Sequence, residues 1–324
     1  MARYLRRILL LLMSLAFAVT ASAQDWPMAK PLRIVIGYGP GSASDIFARL
    51  LGEQLSKSLG QTVIVESKSG AGGQIAAEYV ARLPADGYTL FLTTNTTHSA
   101  NPYLFKSLSY DPVKDFTPIA RVGLFPFVLL VDAKSPIQTV QDLVNHAKAH
   151  PKTVSYAYTS STGQVAAAAL ANSTKMNDAV AVPYKSSPEA MTSVLAGQTT
   201  FTVLDFASSR KLVQGGRLRA VAVTTNERTS LGPDLPTIAE ASGLSDFGVL
   251  AWMGFFAPAN LPAPIQERLS AELVKIVSAQ PMQERIAAMG ADPTPQGHAQ
   301  FAPFVVDQLA VWKRQIGIAG MKPQ

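Results

Sequence analysis

Leu32-Arg33-Ile34-Val35-Ile36-Gly37-Tyr38-Gly39-Pro40-Gly41-Ser42-Ala43-Ser44-Asp45 is the stretch that decides the fold. Leu32 to Ile36 is a short apolar run bounded by turn residues, which predicts a strand. Gly37 to Gly41 is a turn. Beyond it Ile46, Leu50, Leu51, Leu55 and Leu59 recur at helical spacing, and Gly60 stops the helix. Ser42 and Asp45 have the S-x-x-D spacing of a capping box at the helix start. Strand, glycine turn and capped helix together form the opening of a βαβ unit.

The pattern continues outward. Thr62 to Val65 predicts a second strand, Gly70-Ala71-Gly72-Gly73 a second turn, and Gln74 to Leu83 a second helix. Tyr88 to Leu92 predicts a third strand, followed by a polar loop from Thr93 to Asn101. Strands alternating with helices predict a parallel sheet with crossover helices. The order restarts at Val128–Val131. Strands follow at Val154–Ala157, Ala179–Val182, Phe201–Leu204 and Leu218–Val223, with helices at Val140–His150, Gln164–Ala171 and Pro188–Leu195. After Thr224 prolines punctuate the chain. A short strand, Gly254–Ala257, precedes helices at Ile265–Ala279, Met282–Met289 and Val305–Ile316. These helices have too few strands of their own to cover, so they are expected to return to the first sheet. The fold class is α/β in two lobes, each a mostly parallel sheet flanked by helices. The first lobe comprises 24–124 with 247–324, and the second 125–246. The return crossing falls between 225 and 250.

The chain of 324 residues is 48% hydrophobic and 15% charged, which excludes an intrinsically disordered chain. Arg3, Arg6 and Arg7 precede an apolar run from Ile8 to Val19, and Ala21-Ser22-Ala23 is a cleavage signal. This is expected to be a signal peptide, 1–23, with the mature chain starting near Gln24. The run is short for a membrane anchor. The net charge of +6 falls to 25 basic against 22 acidic residues, +3, once those arginines are removed. No basic stripe is interleaved with aromatics, so no nucleic-acid partner is expected. The absence of cysteine excludes disulfides, thiolate metal sites and a cysteine nucleophile.

Ligands of open α/β sheets bind outside the carboxyl ends of the strands. The loops there are rich in Gly, Ser and Thr. In the first lobe they supply Tyr38, Gly41, Ser42, Ala43, Ser44, Asp45, Thr94, Asn95 and His98. The second lobe supplies Ser160, Ser161, Thr162, Gly163, Tyr184 and Asp205. Any one helix start reads plainly as a cap, with Ser187 the expected cap ahead of Pro188. Four polar helix starts at strand ends, two per lobe, suit a small anion held by backbone N–H groups and hydroxyls. No arginine lies in these loops, so a bidentate arginine clamp is not expected.

Enzyme motifs are missing. G-x-S-x-G, H-E-x-x-H, G-K-[ST] and G-x-G-x-x-G do not occur. His146 and His150 stand i,i+4 on a helix that ends at Pro151, which reads as a solvated helix end rather than a metal pair. His298 reads as a surface residue. His98 could touch a ligand or be an ordinary loop histidine. Asp45 reads as a cap. Asp205 is expected to face the cleft and orient a ligand group. No catalytic residue, metal or cofactor is assigned.

The landmarks in their order resemble the Bug family, the substrate-binding receptors of tripartite tricarboxylate transporters. They include Gly39-Pro40-Gly41-Ser42-Ala43-Ser44-Asp45-Ile46-Phe47-Ala48-Arg49, Pro84-Ala85-Asp86-Gly87-Tyr88, Tyr110-Asp111-Pro112-Val113-Lys114-Asp115-Phe116, Val182-Pro183-Tyr184-Lys185 and Trp252-Met253-Gly254-Phe255-Phe256-Ala257-Pro258. The resemblance implies a periplasmic two-lobe, type II-like binding protein that hinges over a small carboxylate and delivers it to membrane permease subunits. A monomer is expected. Two loops depart from the family pattern. The first usually reads P-P-G-G, where Tyr38-Gly39-Pro40-Gly41 stands here. The second is usually glycine-rich and leads to a histidine, where Ser160-Ser161-Thr162-Gly163 leads to alanines. A periplasmic enzyme on the same fold and a sensor feeding a kinase remain the alternatives.

Overall fold

The computed structural model describes residues 26–184, 186–245 and 247–323; the expected signal peptide and Gln24 lie outside the described residues, as does Lys185. The opening unit is β1 (Leu32–Ile36) followed by α1 (Ala43–Leu59). Ser42 caps α1 by accepting from the Asp45 N–H, and Gly60 ends it in the left-handed conformation at φ 66°. β2 (Val63–Ser67), α2 (Gln74–Ala81) and β3 (Thr89–Thr94) complete the expected βαβαβ run. A buried π-helical turn, Thr96–Ala100, then leads into α3 (Asn101–Leu104).

β4 (Phe116–Phe125) and β5 (Phe127–Asp132) carry the chain from the first sheet to the second. There follow α4 (Val140–Ala149), β6 (Ser155–Tyr158), α5 (Ser161–Ser173), β7 (Val180–Pro183), α6 (Ser187–Leu195), β8 (Phe201–Asp205), α7 (Phe206–Gln214), β9 (Leu218–Val223) and α8 (Ile238–Ser242). β10 (Ala251–Pro258) returns to the first sheet, before α9 (Ala263–Ser278), α10 (Gln280–Ala288), β11 (Asp292–Gly297) and α11 (His298–Ile318).

The six-stranded sheet has the order β11-β4-β10-β3-β1-β2, and the five-stranded sheet β7-β6-β8-β5-β9. Both are mixed, which corrects the expectation of mostly parallel sheets. β1 pairs β2 and β3 in parallel, and β6 pairs β7 and β8 in parallel. Every pairing made by β4, β5, β10 or β11 is antiparallel. Parallel neighbours require a crossover helix on a sheet face. The strands that run between the two sheets have none, so they enter against the direction of the others.

β4 has no counterpart in the sequence reading. Pro118, Arg121 and Gly123 break its apolar pattern, yet it is the longest strand among the described residues. Gly123 is needed there, because a Cβ would lie 2.5 Å from the Asp292 carbonyl oxygen of β11. Alternation along β1 sends Leu32, Ile34 and Ile36 under α1, while Val35 faces Phe91, Trp252 and Phe256 on the other side. β10 is buried along its whole length at the centre of the sheet.

α9 lies on β4, β11 and α1. α11 covers the π-helical turn and β4, and its end reaches α5, where the Asn172 side-chain amide donates to the Ile318 carbonyl at 2.9 Å. The C-terminal helices therefore cover the first sheet and touch helix α5 of the second lobe. Among the described residues no helix is long and apolar enough to cross a membrane.

Candidate functional site

Three loops of the first sheet are tied into one surface at the carboxyl ends of β1, β2 and β3. Gly37 abuts Gly73 so closely that a Cβ would come within 2.9 Å of the Gly73 Cα. The Ser67 hydroxyl donates to the Tyr38 carbonyl at 2.8 Å, and the Asn101 amide to the Gly72 carbonyl at 3.2 Å. Gly41 holds φ 79° with open space where a Cβ would point, so its requirement for glycine is conformational rather than steric. Its N–H donates to the buried Asp45 carboxylate at 3.0 Å, and Arg49 donates to the same carboxylate at 3.0 Å. The Gly41 hydrogen bond, then Arg49, hold the Asp45 carboxyl below the usual range. Asp45 is committed to the loop, but the expected capping box is only half formed: Ser42 takes the Asp45 N–H, while the Asp45 carboxylate takes the N–H of Gly41 and the Ser42 N–H goes to the Gly39 carbonyl. Ser44 is buried and Ala43 exposed.

Tyr38 is half-buried, with its hydroxyl against those of Thr96 and Thr94; burial pushes its phenol up despite those hydroxyls. Asn95 is buried between the sheets. Its Nδ2 donates to the Thr162 hydroxyl at 3.0 Å and its Oδ1 accepts from the Trp252 N–H at 3.4 Å.

His98 does not reach the cleft. It is fully buried, stacked on Phe256 at 3.9 Å between ring centroids and edge-on to Phe116 at 4.8 Å. Thr97 Oγ1 lies 2.9 Å from its Nδ1, and its Nε2 has no partner. Burial depresses its pKa to about 3, so the ring is neutral. A polar loop read from sequence carries no sign of the aromatic cage that closes over it. The expected role of His98 as a ligand contact is corrected on this ground.

From the second sheet, α5 begins with Ser160 as its cap, accepting from the Gly163 N–H at 3.3 Å. Ser161 donates to Thr96 Oγ1 at 3.1 Å. Gly163 is fixed by close approach, because a Cβ would lie 2.4 Å from the Val203 carbonyl oxygen. The Ser161 proton is thus spent on the other lobe's loop, whereas Thr162 accepts from that loop and is itself buried. The cap oxygens of Ser42 and Ser160 accept from backbone, which leaves each hydroxyl proton free to donate.

Tyr184 is half-buried at the end of β7, its N–H donating to the Tyr158 carbonyl at 2.9 Å. The α6 cap is Ser186, one residue before the expected Ser187, with Pro188 inside the first turn. Asp205 caps α7. Its Oδ1 accepts from the Ser208 N–H at 2.8 Å, and both carboxylate oxygens take the Ser208 hydroxyl. Capping is a role the sequence reading did not assign to Asp205. Thr96, Asn101 and Trp252 escaped the sequence reading as site residues; only the tertiary contacts single them out.

His146 and His150 sit with ring centroids 4.9 Å apart, and no metal-competent group of three ligands occurs among the described residues. What the loops present is a rim of hydroxyl and backbone N–H donors at helix starts of two facing lobes. Such donors complement an anion without a fixed counter-charge.

The family model described as "Tripartite tricarboxylate transporter family receptor" matches residues 47–321. The chain belongs to this receptor family. Its members are periplasmic solute-binding receptors. A UPF0065 protein of Bordetella bronchiseptica is 34% identical over 98% of this chain and 94% of its own length. Rpa4515 of Rhodopseudomonas palustris, solved with adipate, superposes with a TM-score of 0.85 at 30% identity, covering 93% of this chain and all of that one. MatC of Rhodopseudomonas palustris, solved with malate, gives 0.78 at 28% identity, covering 89% and 99%. The receptor's two-lobe α/β architecture is that of these solute-binding proteins.

Proposed function

We propose that this receptor binds a small organic dicarboxylate between its lobes and delivers it, as a periplasmic monomer without catalytic activity, to the permease subunits of a tripartite tricarboxylate-type transporter. The lobes divide at 24–124 with 247–324 against 125–246. The observation that carries the reading is the set of hydroxyl-capped helix starts, α1 from one lobe and α5 and α6 from the other, at the carboxyl ends of their strands. The acids bound by two solved relatives support the ligand class. One carboxylate lies on the Gly41–Asp45 helix start and is met by Ser160 and Tyr184.

A helix start contributes about 0.3–1 kcal/mol to a nearby anion, up to about 2 when partly buried. Each neutral hydrogen bond adds about 0.5–1.5 kcal/mol net. Several together reach the about −8.2 kcal/mol of micromolar affinity. The mature protein is titrated with adipate, malate, citrate, glutamate and benzoate in a thermal-shift and calorimetric screen. A dicarboxylate at 100 times its Kd is expected to add about 2.7 kcal/mol of stability. Ser42→Ala weakens that acid modestly, since backbone donors survive. Folded Gly41→Val weakens it more than tenfold, because valine cannot hold φ near 79°. Binding of benzoate alone, or unchanged affinity in Gly41→Val, overturns the reading.

A further inference from the structure

We propose that Asn95 is the interlobe pivot, the residue that pins the α5 start of the second lobe to the first lobe beside the axis about which the two turn. Its buried amide joins three separate pieces of chain. It sits at the end of β3 in the first sheet. Its Oδ1 accepts from the N–H of Trp252, the second residue of β10 after the return crossing. Its Nδ2 donates to the hydroxyl of Thr162 in the first turn of α5. A backbone N–H can only donate, so Trp252 fixes which end of the amide is the oxygen and leaves the nitrogen for Thr162.

The neighbourhood is that of both chain crossings. A Cβ on Gly163 would meet the Val203 carbonyl oxygen at 2.4 Å and the ring of Phe127, the first residue of β5, at 3.8 Å. The Phe127 carbonyl accepts from the Thr224 N–H at 2.9 Å, and Thr224 is bonded through backbone and side chain to Val249 at 2.8 and 2.7 Å. The second contact between the same two segments, Ser161 to Thr96, lies beside the first. Displacement in a hinge rotation grows with distance from the axis, so a bond beside the crossings survives rotation while contacts at the cleft mouth do not. Asn95 is a neutral group at such a place: its bond to Trp252 holds the amide within the first lobe, and removal of its bond to Thr162 frees the α5 start to swing against that lobe. Its bearing on ligand affinity rests on the receptor reading above, whereas its role as pivot does not.

The test therefore uses no ligand. The chain has no cysteine, so Lys57→Cys on α1 and Lys211→Cys on α7 give a clean pair for spin labels, one per lobe. Inter-label distance distributions are compared for this pair alone and with Thr162→Val, Thr162→Ser or Asn95→Leu. Thr162→Val is expected to at least double the width of the distribution, and Thr162→Ser to restore it. Hydrogen exchange separates the two bonds. Asn95→Leu accelerates exchange of the Trp252 amide at least tenfold, whereas Thr162→Val, which keeps Oδ1 in place, does not. If Asn95→Leu fails to fold, the two Thr162 variants decide. A distribution in folded Thr162→Val as narrow as in the unsubstituted pair overturns the assignment.

Discussion

At the scale of single residues, His98 shows most clearly how burial overrides a sequence pattern. Its ring is enclosed by Phe91, Phe116, Trp252 and Phe256 and stays neutral, with a pKa of about 3. In the unfolded chain a histidine titrates near 6.5. Above that value both states are neutral and the ring contributes no pH dependence. As pH falls below it, the unfolded state takes up a proton that the native ring refuses, so stability is lost at about 1.4 kcal/mol per pH unit. Between pH 6.5 and 5 the loss from His98 should reach about 2 kcal/mol. Urea melts at the two pH values should show this loss in the wild type and its disappearance in His98→Phe. An equal loss in both proteins would assign the acid sensitivity to other groups.

At the scale of elements, two glycines inside helices have opposite significance. Gly163 lies in the first turn of α5, where a Cβ would overlap the Val203 carbonyl at 2.4 Å. Gly317 lies near the end of α11 with open space around its Cβ direction. Gly163→Ala should destabilise by about 1–3 kcal/mol through overpacking of backbone against backbone. Gly317→Ala should stabilise by about 0.5–1 kcal/mol, because alanine gives up less backbone freedom in a helix. Denaturant midpoints for the two variants should move in opposite directions, and a shared direction would refute the packing assigned to α5. From sequence alone both residues read as the same weak helix breaker.

At the scale of the molecule, the hydrophobic core does not stop at the lobe boundary. One contiguous cluster contains Ile34 of β1 and Leu51 of α1 together with Leu129 and Val165 of the second lobe and Trp312 and Ile316 of α11. Two lobes that share a core and a C-terminal helix should unfold together. Calorimetry of the protein should give one transition with calorimetric and van't Hoff enthalpies in agreement. Two resolved transitions would show that the shared cluster does not couple them.

Local pattern alone determined the βαβ order, the capped start of α1 and the glycine turns, because each depends on neighbours in the chain: helical spacing, a serine cap, glycines where the backbone turns; the receptor family was legible only as a resemblance of motifs in their order along the whole chain. β4 was invisible at that level, since its Pro118 and Arg121 are tolerated only by the particular strands and helix that pack on them. The antiparallel entries of β4 and β10 follow from how the chain passes between two sheets, which no local window records. The site divides in the same way. Helix starts and their hydroxyls were legible as donors. Which of those hydroxyls are engaged within the protein was decided by contacts across 65 and 67 residues of chain, Ser161 donating to Thr96 and Thr162 accepting from Asn95. A hydrogen-bonding group has a fixed chemistry in the sequence, but its partner is chosen only when folding brings distant segments together.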